Sequence, residues 1–84
     1  MIHIDTTQTL GVALRAARKR LGLTQSDLAL AAGVGLRFIV DMEAGKPTLR
    51  LEQVLRVIDA LGGSVMLDGL GDARTPTPEA THGA

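Results

Sequence analysis

Through the body of this chain the charged side chains are mostly cationic. Eight of the nine Lys and Arg residues lie between Thr9 and Arg56: Arg15, Arg18, Lys19, Arg20, Arg37, Lys46, Arg50 and Arg56. Only Asp27, Asp41, Glu43 and Glu52 oppose them there, a local excess of +4 in a chain of zero formal charge. The compensating carboxylates, Asp5, Asp59, Asp68, Asp72 and Glu79, sit towards the two ends. A basic body with acidic ends suits a polyanion, because phosphate neutralisation is the main source of nucleic-acid affinity. The same charges also make an ordinary solvated surface, and the balance alone does not choose between the two.

Other chemistries find little support. The chain has no cysteine, which removes disulfides and thiolate metal sites. His3 and His82 lie near opposite ends with no second ligand at a metal spacing, so no metal is expected. The glycine-rich "AGVG" and "GLGD" lack the lysine and hydroxyl residue of a phosphate-binding loop. No nucleophile, base and orienting acid recur together, so neither an enzyme nor a cofactor is expected. The start, "MIHIDTTQ", lacks the basic flank and apolar run of a signal peptide, and no stretch approaches the roughly 20 apolar residues that span a bilayer. The expected setting is cytoplasmic, on the nucleoid, with no membrane.

The elements that would position these cations can be read from periodicity and punctuation. Leu10, Ala13, Leu14, Ala17 and Leu21 share one face of a first helix, with Arg15, Arg18 and Lys19 turned outward and Gly22 placed to end it. Thr24 and Asp27 form a variant capping box for a short second helix, which Gly33 ends. A third short helix, "LRFIVDMEAG", turns Ile39, Met42 and Phe38 inward and ends at Gly45. After Pro47, Thr48 can cap a fourth, with Leu51, Val54, Leu55, Ile58 and Leu61 at helical spacing. Gly62 and Gly63 close it, and "SVMLD", Ser64 to Asp68, reads as a strand.

One isolated strand must pair with another molecule, or with Ile2 to Ile4 if that segment is extended. The expected organisation is an N-terminal arm over 1–6, one domain over 7–68, and a Gly-, Pro- and Thr-rich tail over 69–84. The fold class is all-α, with four to five helices and one short C-terminal β-strand that pairs across a homodimer.

Within this frame Thr24 to Gly45 carries the spacing T-Q-x-x-L-A-x-x-x-G-x-x-x-x-x-I-x-x-x-E-x-G. Leu28 and Ile39 are apolar anchors on two helices, Ala29 lets them cross closely, Gly33 permits the tight turn, and Glu43 is available to a basic neighbour. Such a helix-turn-helix exposes its second helix for insertion into a major groove about 12 Å wide.

These residues resemble the repressor-type, XRE- and Cro-like helix-turn-helix family of the lambdoid phage repressors. The longer run from Gly22 to Leu67 is similar to the HipB-like antitoxins, whose fourth helix leads into a short strand that pairs across the dimer. The resemblance covers about residues 7–68. It implies a lambda repressor-like fold, a homodimer on double-stranded operator DNA, repression of its own operon, and a HipA-like kinase toxin as protein partner. Matched position by position, it makes Thr24 and Gln25 phosphate contacts, and it places Gly35, Leu36, Arg37 and, one turn on, Val40 and Asp41 opposite base edges.

Arg37 is the long donor of the first three, and a bidentate pair to guanine is worth roughly 1–3 kcal/mol. Pairing with Asp41 four residues along the same helix is its alternative. Lys46, Arg18 and Lys19 are further candidates for phosphate. Gly35 and Leu36 depart from the polar pattern, which implies sparse direct readout: a thymine methyl against Leu36, with DNA shape and half-site spacing supplying the rest. The dimer would form through Ser64, Val65, Met66 and Leu67, backed by Val57, Ile58 and Leu61. A stand-alone phage-type or restriction-controller regulator, and a protein-interaction module with residual DNA binding, stay open beside the antitoxin.

Overall fold

The computed structural model describes residues 1–71, folded as four helices: α1 (Thr7–Arg20), α2 (Gln25–Ala32), α3 (Leu36–Glu43) and α4 (Leu51–Ala60). The expected punctuation largely holds. Thr24 caps α2 in a complete reciprocal box, with Asp27 N–H donating to Thr24 Oγ1 at 3.0 Å and Thr24 N–H donating to Asp27 Oδ2 at 2.9 Å. Those bonds hold the Asp27 carboxyl below its usual pKa, chiefly through the Thr24 backbone N–H. Gly33 ends α2 in the left-handed conformation, at φ 70°, that a side chain would resist.

α2 lies between α3 and α4, and α1 packs on α3. Leu28, Ile39, Met42 and Val57 are fully buried, and Leu14, Ala29 and Ala32 complete the cluster around them. Each large aliphatic side chain removed from water there contributes about 1.5–3 kcal/mol. The α1 to α3 contact depends on a residue without a side chain. A Cβ at buried Gly11 would lie 2.5 Å from the Met42 carbonyl oxygen, so α1 can pass this close to the end of α3 only with glycine there. One turn earlier, Thr7 Oγ1 donates to the Gly45 carbonyl at 2.8 Å and fixes the same junction.

Several expectations fail. Thr48 does not cap α4: the helix begins at Leu51 after Arg50, with no side-chain cap. Leu49 explains this, because it packs against the core and keeps Pro47 to Arg50 outside the helix. The buried stripe of α4 is Val54 and Val57, while Leu51 and Leu55 are exposed, as is Leu21 after α1. Val57 therefore belongs to the core of the single chain and cannot back a dimer ribbon.

No strand forms over Ser64 to Asp68 among the described residues, nor is this segment paired with Ile2 to Ile4. Val65, Met66 and Leu67 are exposed in the single chain. Of the tail placed at 69–84, residues 72–84 lie outside the described residues.

Candidate nucleic-acid interface

Two ionic clusters lie at the ends of the helix pair α2 and α3. The first is buried. Arg18 Nε and Nη2 donate to Glu43 Oε2 and Oε1 at 2.7 and 3.0 Å, and Nη1 donates to the Leu23 carbonyl at 2.8 Å. Gln25 Nε2 donates to the same Glu43 Oε1 at 3.2 Å. The Arg18 and Glu43 side chains are 9% and 4% exposed. The hydrogen bond to Glu43 raises the Arg18 pKa, outweighing the lowering that burial alone would cause.

A guanidinium with three nitrogens satisfied ties together the end of α1, the turn before α2, the start of α2 and the end of α3. A bidentate pair of this kind adds geometric definition as well as energy. The expectation that Arg18 projects outward to meet phosphate is thus overturned, because its donors face inward. Glu43 finds its basic neighbour 25 residues earlier in the chain. Gln25 stands at the first position of α2, half-buried, with its amide nitrogen turned to Glu43.

The second cluster is on the surface of α3. Ile39 and Met42 face the core and Phe38 packs partly against it, so the opposite face is left to solvent. On it stand Leu36, half exposed, and Arg37, whose side chain is 84% exposed. Gly35 precedes them as an exposed N-cap without a side chain, free of close neighbours, so the backbone at the start of α3 is itself accessible.

Arg37 Nε lies 3.2 Å from Asp41 Oδ1, and Lys46 Nζ lies 3.6 Å from Asp41 Oδ2. The expected base-facing residues are therefore together, and the intrahelical pairing weighed as the alternative for Arg37 is present in the free chain. Lys19 is exposed on α1, where with Val12, Arg15 and Ala16 it borders a shallow groove beside Glu43.

Sequence reasoning missed several positioning residues. Gly11 and Thr7 act through close approach and a single long-range hydrogen bond, which leave no periodic signal. Arg56 pairs with Glu52 at 2.6 Å and donates to the Gly33 carbonyl at 3.4 Å, steadying the turn between α2 and α3. The Glu52 and Arg56 spacing of four was a signal that could have revealed the first of these contacts.

A short helix packed from behind, with an exposed outer face and a glycine turn before it, defines a helix-turn-helix domain. Residues 14–66 match the family model described as Helix-turn-helix, and the chain belongs to that family. It is 48% identical over 72 residues to the uncharacterised HTH-type transcriptional regulator y4mF of Sinorhizobium fredii (strain NBRC 101917 / NGR234), covering 86% of this chain and 95% of that protein. Among solved structures it is similar in fold to the HipB–O4 20mer complex and to the HipA–HipB–O2–O3 complex. Each matches with a TM-score of 0.76 and 24% identity, over 83% of this chain and 99% of the other. The chain is a helix-turn-helix transcriptional regulator with a HipB-like fold. No described helix is long and apolar enough to cross a membrane.

Proposed function

We propose that this chain is a dimeric transcriptional repressor that binds its own operator and also serves as the antitoxin to a HipA-like kinase. The observation that carries the DNA-binding half is the exposed face of α3, with Arg37 at its centre and the Arg18, Glu43 and Gln25 cluster fixing its angle from behind. Arg37 reads guanine through its guanidinium fork, Leu36 meets a thymine methyl, and Gly35 and Asp41 complete the groove-facing surface. Thr24, Gln25, Lys46 and Lys19 flank it towards phosphate. Few of these groups read bases, so specificity leans on DNA shape and on two α3 helices about 34 Å apart across a two-fold axis.

The dimer half rests on the exposed Val65, Met66 and Leu67, which follow α4 with free backbone, and on Ile58 and Leu61, half-buried beside them in sequence. Pairing these segments across a two-fold axis would satisfy their N–H and C=O groups and cover the apolar side chains. The antitoxin half is supported by the likeness in fold to HipB in its complex with HipA.

Two experiments test the halves separately. The wild-type chain should bind a duplex from upstream of its own gene more tightly than a scrambled duplex, and equal binding ends the repressor reading. It should also co-purify with a kinase-like product of the adjacent gene. A regulator that discriminates between the duplexes but captures no such protein is the stand-alone kind.

A further inference from the structure

We propose that Asp41 is a positioning residue that sets the specificity of Arg37, aiming its fork while discounting the attraction of the surrounding cations for any phosphate. This rests on the reading of α3 as the element that meets bases. Asp41 is the fixed member of its cluster. Its side chain is 21% exposed, on α3 between half-buried Val40 and buried Met42, whereas Arg37 and Lys46 are 84% and 50% exposed. It holds Lys46 twice, because the Lys46 backbone N–H also donates to the Asp41 carbonyl at 3.0 Å across the turn at Gly45. One carboxylate therefore organises both cations nearest the base-facing surface.

The contact with Arg37 runs through Nε. It is an ion pair at 3.2 Å, and among the described residues no hydrogen bond engages any nitrogen of Arg37, the terminal pair included. Arginine offers five N–H donors in a planar fork, and the terminal pair is the one that spans O6 and N7 of guanine. An ion pair closest at Nε thus draws the guanidinium towards Asp41 while leaving the donors that read the base available. Charge acts in the same direction. With Asp41 ionised, the trio carries +1 rather than +2, so a duplex that places no guanine before Arg37 receives less indiscriminate attraction. Exposed pairs of this kind open at little cost, so Lys46 can still turn to a phosphate.

The test uses the full chain, with fluorescence anisotropy over a range of salt concentrations. The probes are a duplex of about two helical turns, selected by the wild-type protein from a randomised pool, and its scrambled counterpart. Asp41→Asn should bind the scrambled duplex several-fold more tightly and steepen its log–log salt slope by about 1 per protomer. Its preference for the selected duplex should fall about tenfold. Asp41→Glu should recover the wild-type slope, and in an Arg37→Ala background Asp41→Asn should still tighten scrambled binding while leaving the remaining preference unchanged.

A merely structural role would lower the melting temperature without moving the slope. Wild-type discrimination that Asp41→Asn leaves intact, with slope unmoved, overturns this inference alone. An equal loss of preference with and without Arg37 overturns it too. If the wild-type protein selects no sequence, the reading of α3 falls and this inference falls with it.

Discussion

Arg18 and Arg37 each face a carboxylate, at 2.7 and 3.2 Å, yet the two pairs have different work to do. Around Arg18 the protein closes on every side: both partners are buried and each donor nitrogen is matched with an oxygen. Around Arg37 it leaves the side chain in water, held at one nitrogen by a carboxylate four residues along the helix. Burial, more than charge or distance, decides the role. Breaking a desolvated pair strands a charge in the core, whereas opening an exposed one releases it to solvent or to a ligand. The first cluster therefore fixes how the helices pack, and the second is free to meet a ligand.

The largest way to break the comparison is at Glu43. Glu43→Ala leaves Arg18 buried without its partner and releases Gln25, and should cost about 3–5 kcal/mol of stability in chemical denaturation. A loss below about 1 kcal/mol would place this pair with the surface ones. At Arg37 the asymmetry reverses. Arg37→Ala should change folding stability by no more than about 0.5 kcal/mol while removing roughly 1–3 kcal/mol of base discrimination.

Thr24→Ala has a smaller effect, because it opens the capping box at the start of α2, and should cost about 1 kcal/mol in thermal melts at neutral pH. The same box gives a pH signature. The Asp27 carboxyl is depressed in the folded chain, so its contribution is present above the unfolded carboxyl range and is lost as pH falls through the folded value. The gap between wild type and Asp27→Asn should accordingly close on acidification. A gap that widened in acid would contradict the hydrogen-bonded carboxylate.

Much of the frame was legible because it is written locally. Gly33 after α2, Thr24 with Asp27 before it, and Ile39 with Met42 inside α3 each depend on neighbours within a few residues, and all appear as expected. What crosses between helices was not legible. The 25-residue separation of Arg18 from Glu43 follows no period, so an arginine on the predicted polar face of α1 turned out to be a core residue. Thr48 had the right type for a cap, but Leu49 needed the core and delayed the helix. Leu51 and Leu55 matched a helical apolar stripe, yet Val54 and Val57 supply the buried one. Ser64 to Asp68 shows the converse case, in which the local pattern of Val, Met and Leu suggests a strand and no strand forms there among the described residues.

The central claim, that the buried cluster holds α3 while Arg37 reads from it, is tested most directly by measuring Arg37→Ala twice on one preparation: its preference for the selected over the scrambled duplex, and its melting temperature. The expected result is a preference reduced by about ten- to a hundredfold with melting unchanged. Preference equal to wild type, or a melting loss comparable to that of Glu43→Ala, would contradict it.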